Sequence, residues 1–398
     1  MRSHDTSWLI EHLNSLKKQS QFRSLSPIQA REGTMALLEE KAYLNLSGND
    51  YLGLATRMDL QNEFQTQHLL PALEKPGLFT SSSSRLLTGN HALYTSLEEQ
   101  LSRWSGMESA LVFSSGYHAN LGIIPALASH GDIIFSDKLN HASIQDALKL
   151  SDTKFIRYPH LDYDKLESLL KIHRSTHKKA LIVSESLFSM DGDRADLKRL
   201  VELKNRYNCM LYVDEAHAAG VFGDKGIGLC EEEGILNEVD ILVGTFGKAL
   251  ASFGAYALCS LAMKDYLINT ARSLIFTTAL PPINLLWTSF ILEKIPGLHK
   301  ERRHLAQLSS NLRDALKKVG LATGGDSQII PVLIGDNETA LQLSRRLSLE
   351  HGLLIFAIRP PTVPTGTSRL RLSLSAAMDF EELIALPQLI KEAITPCS

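Results

Sequence analysis

An amine, a carboxylate and an imidazole follow two apolar runs that predict buried strands. Lys248 follows the run Ile241–Gly244, and Asp214 and His217 follow the run Cys209–Val213. Parallel strands of an open α/β sheet end at one edge, where such sheets bind ligands, so we expect these three side chains around one cleft. A lysine in such a cleft loses its proton more readily, because desolvation and nearby cations lower its pKa.

This combination of groups suits pyridoxal 5'-phosphate (PLP), which needs a lysine for its Schiff base and an acid facing its pyridine nitrogen. Asp214 would keep that nitrogen protonated, so that the ring accepts electrons when a bond to the substrate Cα breaks. His217 can reach the phenolic oxygen. Each residue also has an ordinary explanation: a solvated lysine, a carboxylate that caps a helix, and a structural histidine.

A phosphate site is predicted where the strand Ala110–Phe113 leads into a helix. Helix N-termini expose free N–H groups that favour phosphate, so Gly116 and Tyr117 are candidates for backbone contacts. Thr245 can add a hydroxyl group. The alternative is an ordinary turn between a strand and a helix.

Two further side chains follow predicted strands. His141 comes after the strand Asp132–Phe135 and can stack on a flat cofactor ring, although its spacing alone favours a polar residue that starts a helix. Ser189 lies in the loop after another strand and can reach the phenolic oxygen.

An alternating strand near the C-terminus carries the candidate for binding a carboxylate. Leu370, Leu372 and Leu374 face one way, and Arg369, Arg371 and Ser373 face the other. The guanidinium of Arg371 can grip a substrate carboxylate in bidentate fashion. A solvated strand face is the alternative, and it suits Arg369.

Composition and charge limit the function classes. The 398 residues include 41 basic and 44 acidic ones, a net charge of −3, which argues against a broad nucleic-acid surface. The four cysteines (Cys209, Cys230, Cys259 and Cys397) lack a C-x-x-C pair and predict reduced thiols. No secretory h-region or apolar run of about 20 residues occurs, so we expect a soluble cytoplasmic protein without a membrane segment or a metal site.

Short β-rich runs alternate with helical patterns, which predicts an α/β fold with a largely parallel sheet. The last two strands are close in sequence, so one of them can be antiparallel. An amphipathic helix from Ser7 to about Lys18 should pack on another surface. We expect an N-terminal segment (1–50), a large domain (51–290) and a smaller domain (291–398). The seven predicted strands of the large domain are Ala110–Phe113, Asp132–Phe135, Lys154–Tyr158, Ala180–Ser184, Cys209–Val213, Ile241–Gly244 and Ala255–Cys259.

Seven short motifs, in order along nearly the whole chain, resemble those of the α-oxoamine synthases, a family of PLP enzymes. The motifs are Asn49–Leu54, Arg85–Asn90, Ser114–Asn120, Phe188–Asp193, Val213–His217, Thr245–Lys248 and Arg369–Leu372. The resemblance implies a PLP-dependent transferase fold of the aspartate-aminotransferase type. Such a fold has a mostly parallel sheet flanked by helices and a smaller α+β C-terminal domain.

The resemblance also assigns roles to individual residues. Lys248 would form the Schiff base, Asp214 would face the pyridinium, and His141 would stack on the ring. The phenolic oxygen would be bound by Ser189 and His217, the phosphate by Gly116, Tyr117 and Thr245, the amino-acid carboxylate by Asn49 and Arg371, and the acyl substrate by Arg23 and Thr362. Thr277 looks like the residue that reaches a neighbouring subunit's phosphate, which implies a homodimer with shared active sites.

Within the family, the run Ala357–Thr367 is similar to that of members that condense L-alanine with a pimeloyl thioester, carried by coenzyme A or by a carrier protein. A synthase that joins glycine to acetyl-CoA is the nearest alternative. The letters Asp214-Glu-Ala-His217 also match nucleic-acid helicases, but the G-x-x-x-x-G-K-[ST] run that a helicase needs is missing from the sequence. A catalytically silent scaffold conflicts with the complete set of candidate residues. Two departures from the family pattern are Ser81–Ser84, in place of a glycine-rich stretch, and Met378, in place of a histidine.

Overall fold

The computed structural model describes residues 6–74 and 76–394, and they form two compact units. Unit 1 comprises the described residues up to Asn49, the segment Met190–Asp193 and the described residues from His304 onward. Unit 2 comprises Asp50–Ser189 and Arg194–Arg303. The predicted division at residues 50 and 290 stays a prediction.

The strands are short, as in most α/β proteins. They are β1 (Ala30–Glu32), β2 (Met35–Leu38), β3 (Lys41–Asn45), β4 (Ser109–Phe113), β5 (Ile133–Asp137), β6 (Lys154–Tyr158), β7 (Ala180–Glu185), β8 (Met210–Asp214), β9 (Ile241–Thr245), β10 (Ala255–Cys259), β11 (Ile329–Gly335), β12 (Leu353–Leu354), β13 (Ala357–Ile358) and β14 (Ser368–Ser373).

Helices separate most of these strands. They are α1 (Ser7–Lys18), α2 (Met58–Phe64), α3 (Leu70–Leu73), α4 (Ala92–Ser105), α5 (Gly116–Leu127), α6 (Ala142–Leu150), α7 (Tyr163–His173), α8 (Leu197–Tyr207), α9 (Leu229–Glu232), α10 (Leu261–Thr270), α11 (Arg272–Ile275), α12 (Pro282–Lys294), α13 (His299–Lys318), α14 (Asn337–His351), α15 (Phe380–Leu383) and α16 (Leu386–Ile394).

Unit 2 is built on a seven-stranded sheet in the order β4-β10-β9-β8-β7-β5-β6. The neighbours from β6 to β9 are parallel, whereas β10 is antiparallel to both β9 and β4. The short connection from Thr245 to Ala255 allows this reversal, as the sequence predicted. All seven predicted strands are present with their bounds shifted by at most a residue or two.

The large sheet is buried on both faces over most of its length. Every residue of β4, β5, β7, β9 and β10 is buried. Helix α5 contributes Ile123 and α6 contributes Ile144 to a core cluster that also holds Leu111 and Val183 from the sheet. Parallel strands covered by helices on both sides have continuous apolar sequences, which is why these strands were predictable.

Unit 1 contains two small sheets. Strands β1, β2 and β3 are antiparallel, and β12 pairs with β3 in parallel. A second sheet has the order β11-β14-β13. The apolar run Leu353–Ala357 therefore does not form a single strand, because the chain leaves one sheet after Leu354 and enters the other at Ala357. Between them, the Phe356 N–H donates to the hydroxyl of Ser47 at 2.9 Å.

Helix α1 has the predicted bounds, but the described residues of α1 include no buried one. Its apolar residues Trp8 and Ile10 are 62% and 61% exposed. No helix within 6–74 or 76–394 is long and apolar enough to cross a membrane. Cys209, Cys230 and Cys259 are buried free thiols, and Cys397 lies outside the described residues.

The interpretation of Arg369 as a solvated side chain was wrong. Strand β14 is the middle strand of its sheet, and all six of its residues are buried. Arg369 is 4% exposed and pairs with the carboxylate of Asp191, while its Nε donates to the carbonyl of Thr367 at 3.0 Å. The alternation of β14 was correct, but both faces of the strand are covered.

Removal of the Arg369 charge should destabilise the protein. Arg369→Leu removes the buried guanidinium that pairs with the Asp191 carboxylate, and we expect the free energy of unfolding in urea to fall by about 3 kcal/mol. The control Arg31→Leu removes an exposed arginine from β1 and should change it by less than about 0.5 kcal/mol. Equal effects of the two substitutions would contradict the buried ion pair.

The serine run that replaces a glycine-rich stretch contains one residue in the left-handed region, Ser82, with a φ of +47°. Its neighbours are held by side-chain hydrogen bonds. The Ser81 hydroxyl donates to the carbonyl of Leu280 at 2.8 Å, and the Thr88 N–H donates to Ser83 Oγ at 3.2 Å. Within the run, the left-handed backbone is therefore confined to Ser82.

Ser82→Gly should stabilise the protein slightly. A left-handed conformation costs about 1–2 kcal/mol in a residue with a Cβ, and the entropy lost by glycine offsets about 0.5–1 kcal/mol of the gain. We expect a net rise of about 0.5 kcal/mol in the free energy of unfolding. Each substitution loses one exposed side-chain hydrogen bond, Ser82→Gly that to the Thr80 hydroxyl and the matched Ser83→Gly that to the Thr88 N–H, but only Ser82 has a left-handed backbone. Ser83→Gly should therefore lower the free energy of unfolding, and a rise for both would argue against strain at Ser82.

Candidate active site

A pocket of unit 2 lies at the carboxyl ends of β5, β7, β8 and β9, the edge where the sequence predicted a cleft. Seven predicted residues line it: Gly116, Tyr117, His141, Asp214, His217, Thr245 and Lys248. Asn120, Ser143, Glu185 and Ala216 complete the lining. The strand ends therefore bring together the amine, the carboxylate, both imidazoles and the predicted phosphate-binding residues.

Lys248 lies in a turn between the antiparallel strands β9 and β10. Three main-chain hydrogen bonds hold this turn: Phe246 N to Gly254 O (3.0 Å), Ser252 N to Phe246 O (2.8 Å) and Ala251 N to Lys248 O (2.9 Å). The side chain is half-buried and reaches the pocket. The main chain at Lys248 is thus held by hydrogen bonds, and the amine reaches the pocket at the end of the flexible lysine side chain.

The Lys248 amine is linked to a buried phenol through His217. Lys248 Nζ lies 2.7 Å from His217 Nε2, and His217 Nδ1 lies 2.7 Å from the hydroxyl of Tyr51. Both histidine and tyrosine are buried. When Nε2 accepts a proton from the amine, Nδ1–H can donate to the Tyr51 oxygen, so the pair can take up and return one proton.

Asp214 ends β8 with 5% of its surface exposed. One carboxylate oxygen accepts the N–H of Ala216 at 2.9 Å, and the other accepts the side-chain amide of Asn120 at 2.9 Å. The Asn120 carbonyl oxygen in turn accepts the hydroxyl of Tyr212. Turns follow Asp214, and the next helix begins only at Leu229, so Asp214 closes a turn and does not cap a helix.

His141 is the N-cap of α6 and also lines the pocket, so both explanations of this residue hold. Its Nδ1 lies 2.7 Å from the hydroxyl of Ser143. The surrounding protein lowers the pKa of the imidazole, an effect that Asp214 partly opposes and Lys248 reinforces. The ring is therefore held in the neutral form, which can stack face-on against a flat ligand.

The predicted phosphate end lies where α5 begins at Gly116, after the N-cap Ser115. The first turn of a helix has free backbone N–H groups. Thr245 stands beside it, since a Cβ at Gly116 would lie 3.8 Å from the Cβ of Thr245. The Thr245 hydroxyl donates to Gly254 O at 3.0 Å and accepts the N–H of Gly247 at 3.2 Å.

Four other predicted residues lie in unit 1 as two contacting pairs. Arg371 donates to the side-chain oxygen of Asn49 at 3.4 Å, and also to the hydroxyl of Ser373 at 2.7 Å. Arg23 donates to the hydroxyl of Thr362 at 3.1 Å. The residues assigned to each substrate by resemblance thus contact each other.

Ser189 and Thr277 belong to unit 2 but do not line the pocket. Ser189 is 8% exposed, and Thr277 is half-buried. The predicted roles of these two residues stay predictions. Met378 is buried in unit 1, where its carbonyl accepts a hydrogen bond from His304 at 2.7 Å.

Comparison with known proteins decides the family. The family model for aminotransferase class I and II matches residues 41–388. A putative 8-amino-7-oxononanoate synthase from Pasteurella multocida is 49% identical over 389 residues, which cover 96% of this chain and 98% of the relative. An 8-amino-7-oxononanoate synthase from Chlorobaculum parvum is 47% identical over 371 residues, covering 93% and 94%. This chain is an α-oxoamine synthase, a member of a PLP-dependent family.

Solved structures agree with this assignment. A serine palmitoyltransferase from S. paucimobilis with a bound PLP–myriocin aldimine has a TM-score of 0.89 and 29% identity, and it covers 98% of each chain. An 8-amino-7-oxononanoate synthase from Francisella tularensis has a TM-score of 0.73 and 29% identity, covering 88% of this chain and 96% of the other. The predicted fold class is confirmed.

The pocket of this α-oxoamine synthase fits PLP. The start of α5 offers N–H groups to a phosphate, Asp214 offers a carboxylate to a ring nitrogen, and Lys248 offers an amine to an aldehyde. The Asn120 amide and the Ala216 N–H are neutral donors that each bond one oxygen of Asp214, and a protonated pyridine would add a cationic partner.

Sequence reasoning missed Tyr51, Asn120, Ser143 and Glu185. Tyr51 and Asn120 lie inside motifs that carry the family resemblance, which is a signal that could have singled them out. Glu185 lies one residue beyond the predicted end of β7. Their roles depend on side-chain contacts across the fold, which spacing along the chain does not reveal.

The His141 imidazole should titrate below the ordinary histidine pKa of about 6.5. Because its native pKa is lowered, the native state binds fewer protons than the unfolded state, and stability is lost as the pH falls below about 6.5. NMR titration of histidine-labelled, cofactor-free protein would measure the midpoint, with His141→Gln to assign the signal. A midpoint at or above 6.5 would contradict the environment described for this ring.

Proposed function

We propose that this α-oxoamine synthase catalyses the PLP-dependent decarboxylative condensation of L-alanine with a pimeloyl thioester. The products are 8-amino-7-oxononanoate, CO2 and the free thiol, in a step of biotin biosynthesis. The observation that carries the proposal is the pocket of Lys248, His217 and Asp214 in a chain 47–49% identical to proteins named for that product.

Bound PLP would supply an aldehyde that reacts with an amine and a ring that accepts electrons from the substrate Cα. Lys248 would hold the cofactor through its amine, and that amine, once free, would remove the substrate Cα proton as a general base. His217 lies 2.7 Å from that amine and can take its proton. Tyr51 keeps the imidazole in orientation through its own 2.7 Å contact.

Asp214 would face the pyridine nitrogen and favour its protonated form, which would increase the capacity of the ring to accept electrons. Asn120 fixes one oxygen of the carboxylate, and the Ala216 N–H fixes the other. His141 would cover one face of the ring, and Ser189 and His217 would bind the phenolic oxygen. The phosphate would bind the N–H groups of Gly116 and Tyr117 and the hydroxyl of Thr245.

The substrate contacts follow from the two pairs of unit 1. Arg371 and Asn49 would hold the alanine carboxylate, since a guanidinium and an amide together offer donors for both oxygens. Arg23 and Thr362 would lie along the acyl chain. Coenzyme A and a carrier protein are both acceptable carriers of that chain, and a substrate panel distinguishes them.

A homodimer is part of the proposal, with Thr277 reaching the phosphate of the partner subunit. The segments 79–87 and 276–280 of unit 2 lie side by side, joined by Ala279 N to Ser83 O at 2.9 Å. They expose Phe79, Leu87 and Phe276 at 64%, 78% and 70%. Such a group of exposed apolar side chains beside Thr277 supports an interface there.

Lys248→Ala should abolish turnover, by about a thousandfold or more, because the Schiff-base lysine and general base are the same residue. Thiol release from pimeloyl-CoA with L-alanine measures activity, and circular dichroism checks the fold. Lys178→Ala, at an exposed lysine, is the matched control and should keep full activity. Retained activity in Lys248→Ala would refute the mechanism.

A panel of L-alanine and glycine against pimeloyl-CoA, a pimeloyl carrier protein and acetyl-CoA tests the substrate pair. We expect alanine with a pimeloyl donor to give the highest kcat/KM. Preference for glycine with acetyl-CoA would replace the proposal with glycine C-acetyltransferase, the alternative within the family.

Leu87→Lys should weaken the dimer, because it places a charge among the exposed apolar residues of segment 79–87. Sedimentation velocity should show the mass move from two chains toward the 44.1 kDa of one. Leu349→Lys changes a leucine of similar exposure, 79%, on α14 and serves as the control. A monomeric wild-type protein with full activity would contradict the shared active site.

A further inference from the structure

A second carboxyl group lines the pocket and has no part in the mechanism above. Glu185 is the last residue of β7 and is 2% exposed. One of its carboxyl oxygens accepts the backbone N–H of His141 at 2.5 Å. Glu185 therefore contacts the main chain of the residue whose ring would cover the cofactor.

Asn140, the residue before His141, also bonds to Glu185. The Asn140 side-chain oxygen accepts the backbone N–H of Glu185 at 3.0 Å, and its amide group donates to Val183 O at 2.9 Å and to Ser136 Oγ at 2.9 Å. The pairing of β5 with β7 ends at Ser136 and Val183, so these side chains extend the bonding beyond the sheet. We call the pair Asn140 and Glu185 the latch.

The His141 ring is connected to Asp214 through hydrogen bonds of Ser143 and Asn120. Its Nδ1 lies 2.7 Å from Ser143 Oγ, which accepts the Asn120 amide at 2.8 Å, and the same amide donates to Asp214 at 2.9 Å. A chain of hydrogen bonds thus connects Asp214, which would face the pyridine nitrogen, to the His141 imidazole. The latch holds the backbone from which that imidazole projects.

The surroundings of Glu185 favour the neutral acid. Burial raises the pKa of this carboxyl group well above 4.5, and Asp214 raises it further. Lys248 and the His141 N–H lower it, while Asp137 at the end of β5 raises it. A charge on Asp214 would repel a second ionised carboxylate in the same pocket.

We propose that Glu185 is a positioning residue that, as a neutral acid, holds the main chain of His141 and so fixes the imidazole at the cofactor ring. The role of the ring rests on the proposed function, whereas the latch itself can be tested without it. The competing role for Glu185 is an ionised counter-ion of Lys248.

Amide hydrogen exchange of the cofactor-free protein tests the latch. Glu185→Gln retains a neutral carbonyl acceptor, so the His141 amide should stay protected, whereas Glu185→Ala should expose it to exchange. The Ile144 amide inside α6 is the internal reference, because it bonds to His141 O at 2.9 Å in the helix itself. Unchanged protection in Glu185→Ala, or loss of protection in Glu185→Gln, would overturn the proposal.

Thermal unfolding of the cofactor-free protein tests the charge. A raised native pKa gives stability that is complete below the unfolded value of about 4.3 and is lost as the pH rises. Glutamine does not titrate, so the Tm of Glu185→Gln relative to wild type should increase from pH 5 to pH 8. A constant difference would show that Glu185 is ionised throughout, contrary to the proposal. Because it compares only Glu185→Gln with wild type, this measurement still tests the proposal if Glu185→Ala does not fold.

The holoenzyme gives a third readout. The pH midpoint of the absorbance of PLP on Lys248 should be the same in Glu185→Gln and wild type. A fall of about one unit or more would identify a counter-ion, because an opposite charge within ~4–6 Å shifts a pKa by about 1–3 units.

In Glu185→Ala, kcat should fall by about tenfold to a hundredfold, and the KM for alanine should change little. If the exchange and unfolding results hold but the enzyme is inactive toward alanine with both pimeloyl-CoA and a pimeloyl carrier protein, the proposed function is refuted and the latch stands.

Discussion

The 2.7 Å contact between the Lys248 amine and the His217 imidazole is the interaction on which the proposed chemistry depends. An amine must be unprotonated to react with an aldehyde, and it must be unprotonated again to remove a proton from the substrate. A neutral imidazole within hydrogen-bond distance gives that proton a nearby acceptor. The buried hydroxyl of Tyr51 holds the imidazole from behind.

The large sheet makes this contact possible. Strands β8 and β9 are adjacent and parallel, so the residues after each strand emerge at the same edge. Neutral donors then hold the polar side chains of the pocket in place. For example, the Asn120 amide and the Ala216 N–H each bond one oxygen of the Asp214 carboxylate. Buried polar groups in such a chain are stable because each has a partner with good geometry.

The sequence predicted the strands of unit 2 well, since strands covered on both faces are continuous apolar runs. It also predicted the members of the pocket that directly follow those strands, such as Lys248 and Asp214. Arg369 was misjudged because alternation along a strand does not show whether a second layer covers the polar face. Glu185 and Tyr51 were missed because their roles come from contacts between residues far apart in the chain. The chain changes sheet within Leu353–Ala357, which a run of apolar residues does not reveal.

The hydrogen-bonded turn between β9 and β10 has a kinetic consequence. Since the main chain on both sides of Lys248 is fixed, the amine can travel between its successive tasks only by rotation about the bonds of its own stem. Rotamer changes of this kind occur in picoseconds to nanoseconds, far faster than the opening of a loop. Repositioning of the base would then require no movement of the main chain, so the turn can stay closed through a catalytic cycle.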